Sequence, residues 1–207
     1  MGRTLNDYPS VALKLEDIDC EIDFVRLFGR ASPVHIEIGS GKAGFLLNQA
    51  RARPATDFLG IERASKYYRY AVDRIGRRGL TNVRIIRTDA AHFVANFVPA
   101  CSLDCFHIYF PDPWPKRRHH KRRFFCPLNL GHLIRCLKTE GCIKVATDHA
   151  EYFQLITALM EAEHERIEPT DFLPAAGAVL GEWVGTNFER KYLKEKRPIY
   201  TLAVRKK

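Results

Sequence analysis

The sequence has no run approaching the roughly 20 uninterrupted apolar residues that a membrane-spanning helix needs. It has no Cys-x-x-Cys pair either. Cys20, Cys101, Cys105, Cys126, Cys136 and Cys142 are scattered, which argues against a zinc ribbon or a thioredoxin-type site. Several stand in apolar surroundings, where reduced cysteine packs as a small core side chain, and all six are read that way. Met1-Gly2-Arg3-Thr4-Leu5-Asn6-Asp7 carries no apolar signal core. Asn6 stands where a myristoylation pattern wants Ser or Thr. No internal repeat, low-complexity tract or domain boundary is visible. These absences lead to the expectation of a cytoplasmic protein, with no membrane partner and no metal site.

What is present is enough for one domain. The chain has 207 residues, 46% of them hydrophobic, so it can bury a single core. We read 31–207 as that core, preceded by an N-terminal segment over 1–30. The net charge of +9 suggests a polyanionic partner, although charge alone does not separate nucleic acid from anionic lipid.

Between residues 34 and 148, short apolar runs alternate with longer mixed segments. Val34–Ile38, Phe58–Glu62, Val83–Ile86, Cys105–Phe110 and Cys142–Thr147 are β-branched or aromatic runs with turn residues near their ends. Helices are expected between them, near 43–53, 65–78, 90–97, 123–138 and 149–162. Such alternation predicts a mostly parallel sheet with helices on both faces. The end of the chain differs: a weak strand near 164–168 and a stronger one at Ile199–Val204 suggest an antiparallel hairpin at the sheet edge, joined without a clear helix. Residues 169–187, rich in Pro, Gly and Ala, read as loop.

Glu37-Ile38-Gly39-Ser40-Gly41-Lys42-Ala43-Gly44 lies where the first of these strands hands over to a helix. Glycines let the backbone turn sharply and approach a ligand, and the helix N-terminus offers unpaired N–H groups. Gly39, Gly41 and Gly44 also satisfy G-x-G-x-x-G, a weak signal alone. Two acids refine it. Glu62, 18 residues after Gly44, can accept from both ribose hydroxyls of a bound nucleoside. Glu37, at the mouth of the turn, suits a cofactor carrying an ammonium and a sulfonium, and repels a pyrophosphate. Asp89 could accept from an adenine amino group. Each acid could instead be a solvated strand end or a helix cap; the three together sit at the strand edge where open α/β sheets bind ligands.

Phe110-Pro111-Asp112-Pro113-Trp114-Pro115-Lys116 follows the fourth run. Three prolines stiffen it and hold Asp112 and Trp114 in place. An aromatic beside an acid can stack and hydrogen-bond an extruded base, though a plain turn with a core tryptophan has the same composition. Then comes Lys116-Arg117-Arg118-His119-His120-Lys121-Arg122-Arg123, with Lys or Arg at six of eight positions. Beside such a loop it reads as phosphate docking. Phe124 and Phe125 fit a single-stranded RNA surface or, equally, a core.

Taken together, these residues resemble the bacterial tRNA (guanine-N7-)-methyltransferase family. The shared elements are Glu-Ile-Gly-Ser-Gly-Lys at 37–42, Gly-Ile-Glu at 60–62, Pro-Asp-Pro-Trp-Pro-Lys-Arg-Arg-His-His-Lys-Arg-Arg at 111–123, Ala-Thr-Asp at 146–148 and Thr-Asn-Phe-Glu-Arg at 186–190. The resemblance implies a Rossmann-like class I methyltransferase fold, with a seven-stranded mostly parallel sheet and an antiparallel C-terminal strand. It implies S-adenosylmethionine as cofactor, tRNA as partner, and methylation of guanine N7, at variable-loop position 46. Cofactor contacts fall to Glu37, Gly39, Gly41, Glu62, Asp89, Ala90 and Asp112, with Asp112 also the active-site acid. Substrate contacts fall to Trp114, the run Lys116, Arg117, Arg118, His119, His120, Lys121, Arg122 and Arg123, then Asp148, Thr186, Asn187, Phe188 and Glu189. The chain departs from the family at Ala43, where a third glycine is usual. Two rivals stay open at this point. One is a nicotinamide-dependent oxidoreductase, for which no obvious Tyr-x-x-x-Lys or His–Asp pair is placed at a hydride site. The other is an RNA-binding protein without catalysis.

Overall fold

Alternating runs fold as alternating strands and helices. The structure is a computed structural model that describes residues 4–207; the reading made at Met1, Gly2 and Arg3 lies outside them. Residues up to Pro99 form one unit: β1 (Ala12–Leu13), α1 (Phe24–Phe28), β2 (Val34–Ile38), α2 (Gly44–Ala52), β3 (Asp57–Ile61), α3 (Ser65–Gly76), β4 (Val83–Ile86) and α4 (Ala90–Phe97). Its strands are all parallel, in the order β1-β4-β3-β2. Val34 pairs with Asp57 and Ile38 with Ile61, and Ile61 pairs with Ile86. The carboxyl ends of β2, β3 and β4 therefore lie side by side.

Parallel strands covered by helices read as near-continuous apolar runs. Here Ile36, Leu59, Ile85 and Ile86 are wholly buried, as are Leu46 of α2 and Ile75 of α3. Each such side chain contributes about 1.5–3 kcal/mol relative to exposure. Gly60 is required by proximity: a Cβ there would lie 2.6 Å from Leu46 Cδ1 and 2.7 Å from Ser40 Oγ. A larger residue would force those two buried side chains to shift.

Ala100–Lys207 forms the second unit: β5 (Leu103–Tyr109), a 3-10 helix Arg117–Arg122, α5 (Pro127–Cys136), β6 (Leu137–Thr147), α6 (Ala150–Ala162), β7 (Ile167–Pro169), α7 (Asn187–Lys194) and β8 (Tyr200–Lys206). The strand order is β5-β6-β8-β7. β5 and β6 are parallel, and β8 is antiparallel to both β6 and β7.

Three expectations change in detail. The helix expected over 123–138 begins only at Pro127, in the first turn, where a missing N–H costs nothing; the basic run before it winds as a 3-10 helix instead. β7 and β8 do pair antiparallel, but α7 lies between them. Its signature was Thr186-x-x-Glu189 with Lys191 and Lys194 in the last turn, a capping pattern followed by cations at the negative end of the helix dipole. The described residues contain eight strands, the additional one being the two-residue β1. No helix among them is long and apolar enough to cross a membrane.

Candidate active site

In the first unit the turn after β2 is built by positive φ angles. Gly39 (φ 80°), Gly41 (φ 52°) and Ala43 (φ 57°) are all left-handed, a region that glycine enters freely and alanine only at a cost of about 1–2 kcal/mol. The Gly39 and Ser40 N–H groups donate to Ile61 O at 2.9 and 3.1 Å, tying the turn to the end of β3. Glu62 completes the tie. Its Oε2 accepts from Gly41 N at 2.7 Å and its Oε1 from Ala64 N at 2.7 Å. The carboxylate expected at a ribose thus also fixes the shape of the glycine turn, and its remaining lone pairs stay available.

Glu37 is buried, and its Oε2 has no hydrogen-bond partner among the described residues. Burial pushes its carboxyl up to about 8; a hydrogen bond from Ser40 offsets part of this and the nearby Glu62 charge adds to it. A buried acceptor without a donor costs roughly 1–3 kcal/mol. Such an oxygen is free to accept from a donor supplied by a ligand. Asp89 takes the helix-cap alternative: it N-caps α4, accepting from His92 N at 3.2 Å, and pairs with Arg63 Nη1 at 3.4 Å. Ala90 is the first residue of α4.

In the second unit β5 runs into the proline loop. Phe110 and Trp114 both have positive φ, 51° and 42°, so the loop holds two aromatics in a conformation that side chains disfavour. Asp112 is exposed. Trp114 is partly covered: Arg122 lies over its ring at 5.0 Å and His119 meets it edge-on at 5.8 Å. Lys116, Arg117, Arg118, Lys121 and Arg122 are exposed, and His119 and His120 half-buried.

Arg123 breaks from the run. It is buried; its Nε donates to Pro113 O at 2.8 Å and its Nη2 to Glu151 Oε1 at 3.0 Å, and its guanidinium lies over Tyr152 at 5.0 Å. Its side chain is buried and two of its donors are engaged within the protein, so the structure does not present it for phosphate docking as it does the exposed members of the run. Glu189 leaves the substrate set likewise. It is fully buried, and its carboxylate accepts from Trp183 N (2.5 Å), Val184 N (3.0 Å) and Gly185 N (2.8 Å). Glu189 shapes the loop before α7. Thr186 caps that helix by accepting from Glu189 N at 3.2 Å, while Asn187 and Phe188 are exposed. Asp148 follows β6 and accepts from Arg197 Nη1 at 2.9 Å.

Comparison with known proteins decides what this collection of groups belongs to. A family model described as "Putative methyltransferase" matches residues 31–202. A tRNA (guanine-N(7)-)-methyltransferase of Alkalilimnicola ehrlichii is 34% identical over 203 residues, 97% of this chain and 84% of that one. Another of the same name, from Rhodopirellula baltica, is 33% identical over 93% of this chain and 73% of its own length. The chain belongs to the tRNA (guanine-N(7)-)-methyltransferase family.

Solved structures agree on the fold. The 16S rRNA methyltransferase KamB superposes with a TM-score of 0.62 at 12% identity, over 88% of this chain and 91% of that one. A SAM dependent methyltransferase from Aquifex aeolicus gives 0.54 at 12% identity, over 88% and 86%. At that identity the likeness establishes the Rossmann-like methyltransferase fold, as the sequence predicts.

Sequence reading missed three groups around these sites in this family member. Arg197 pairs with Asp148 and lies over the Tyr192 ring at 4.8 Å. The Tyr192 hydroxyl is pushed up, first by burial and then by the Asp148 charge. Tyr152 backs Arg123 and accepts from Phe125 N at 3.1 Å. None has a local pattern in the sequence, since each partner lies dozens of residues away or on another element.

Proposed function

We propose that this chain transfers a methyl group from S-adenosylmethionine to N7 of a guanosine in tRNA. The observation that carries the cofactor half is Glu37: a buried carboxyl with an unpaired oxygen, behind a turn of three left-handed residues that Glu62 holds in shape. Family membership supports the RNA half and weighs against both rival readings. The residues fit the cofactor. Glu37 would accept from its ammonium, Glu62 from its ribose hydroxyls and Asp89 from its adenine amino group. Gly39, Gly41 and Ala90 would line the path with backbone. When bound, S-adenosylmethionine supplies an electrophilic methyl group on a sulfonium.

Guanine N7 carries a lone pair and no proton, so no side chain need act as general base at the nucleophile. What the protein supplies is position and field. Alignment of bound partners can lower a barrier by about 7–11 kcal/mol. Methylation at N7 leaves the purine positively charged, and a fixed carboxylate near the ring stabilises that charge as it develops. We assign Asp112 to this role, together with cofactor contact and with accepting from the base N–H groups. Lys116, Arg117, Arg118, Lys121 and Arg122, with His119 and His120, would dock phosphates, and Trp114 would abut the base. Asp148, Thr186, Asn187 and Phe188 would make the remaining contacts. We place the protein in the cytoplasm, where tRNA is processed, and the target in the variable loop.

The test is nucleoside mass spectrometry of bulk tRNA incubated with the purified chain and S-adenosylmethionine, with fragment mapping to locate the product. We expect 7-methylguanosine in the variable loop. Unmodified tRNA, or a methyl group on another atom, would overturn the reading.

A further inference from the structure

The two last arginines of the basic run are adjacent in sequence and opposite in environment. Arg122 is exposed, over the Trp114 ring. Arg123 is buried, and its guanidinium joins two segments, the proline loop and α6. One branch donates to the Pro113 carbonyl, between Asp112 and Trp114. The other donates to Glu151 in the first turn of α6. Its face rests on Tyr152, whose hydroxyl accepts from Phe125 N just before α5. The Arg123 hydrogen bond holds the Glu151 carboxyl below the usual carboxylate range.

We propose that Arg123 is a positioning residue that latches the proline loop onto α6 and so fixes Asp112 and Trp114 for the reaction. The chemistry follows from the fork of the guanidinium, which offers donors in two fixed directions at once. The loop it holds needs such a latch. Phe110 and Trp114 sit at positive φ, and prolines at 111, 113 and 115 remove the backbone N–H groups that could otherwise tie the loop down. A carbonyl held from inside replaces them. The division also explains why a single basic run can both dock RNA and shape a site: its exposed members face the polyanion, and its last member faces the core.

This inference rests on the methyltransferase reading, and its test separates the two. Wild-type protein must first form 7-methylguanosine; if it does not, the function fails and not the latch. In Arg123→Ala we expect kcat at saturating tRNA to fall by about tenfold to a hundredfold, the range for a misplacement of about 1 Å. We expect the tRNA Kd and its salt slope to stay within about twofold of wild type. Arg123→Lys keeps the charge but loses the fork, and we expect at least about a tenfold loss of kcat there too. A phosphate-docking arginine would give the opposite pattern: weaker binding, a flatter salt dependence and rescue by lysine. Wild-type kcat in Arg123→Lys, or loss confined to affinity, overturns the latch.

A spectroscopic arm needs no turnover. The chain has two tryptophans, so Trp183→Phe leaves Trp114 as the only one. In that background Arg123→Ala should raise acrylamide quenching of Trp114 with far-UV circular dichroism unchanged. Quenching identical to the Arg123 parent shows a loop that holds without the latch and refutes the proposal. If Arg123→Ala does not fold, the lysine variant decides by the same two readouts.

Discussion

Replacing Glu37 by glutamine should change how stability depends on pH, in a direction set by its burial. An ordinary glutamate titrates near 4.5, and in the fold Glu37 is pushed up to about 8. Between those values the folded chain holds a proton that the unfolded chain releases, so this residue makes stability fall as pH rises and stop falling above about 8. At about 1.4 kcal/mol per unit, the loss between pH 5 and pH 8 comes to about 3 kcal/mol. Glu37→Gln removes the titration and keeps the shape. The stability of the variant minus that of wild type should therefore grow by about 3 kcal/mol over that range. Urea melts of both proteins without ligand, at half-unit steps of pH, measure it. The same residue gives a linked effect on binding. An ammonium docking beside Glu37 favours the carboxylate, so uptake of S-adenosylhomocysteine should expel a proton and tighten up to about tenfold per pH unit between 6 and 8. The glutamine variant should bind weakly and without that slope. Parallel melting profiles for the two proteins, with pH-independent affinity in wild type, would refute both the burial argument and the cationic ligand.

Asp112→Ala should retain tRNA affinity and lose turnover, measured by single-turnover methylation; near-normal kcat would remove Asp112 from the chemistry. Changing Lys116, Arg117, Arg118 and Lys121 together to Ala should lower the slope of log affinity against log salt by as much as about 3, at about 0.7–0.9 per phosphate contact, and an unchanged slope in filter binding would place the docking surface elsewhere. At Ala43, glycine relieves the left-handed φ but gives up a buried methyl and adds unfolded-state freedom, so Ala43→Gly should stay within about 1 kcal/mol of wild type. Ala43→Val, β-branched at positive φ with no exposed surface, should cost on the order of 3 kcal/mol by chemical denaturation, and a tolerated valine would show that the turn can relax.

The legible part of this protein is its parallel sheet and the turn after β2. Apolar runs such as Val34–Ile38 and Val83–Ile86 match their strands residue for residue, because buried parallel strands write themselves as continuous hydrophobic runs. Gly39 and Gly41 are similarly local, glycines at left-handed angles that glycine enters freely, whereas Ala43, Phe110 and Trp114 take such angles with no mark in their residue type. What the sequence hides is direction. A run of six cations in eight positions carries no mark of which one turns inward, because that depends on Glu151 and Tyr152 waiting on α6, 28 and 29 residues further on. Glu189 is hidden for the same reason. Its spacing from Thr186 announces a helix cap, but the three N–H groups that consume its carboxylate belong to a loop whose composition says only that it turns. Both residues sit inside motifs that the family resemblance marks as functional, and both are hydrogen-bonded to backbone groups inside the protein.

A motif match therefore counts residues that touch a ligand together with residues that hold the ones that do. Burial with hydrogen bonds made inside the protein separates them, and the two kinds fail differently. Loss of Arg118 should cost affinity that low salt restores. Loss of Arg123 should cost a rate that no RNA concentration restores, because saturation fills a site without correcting its geometry.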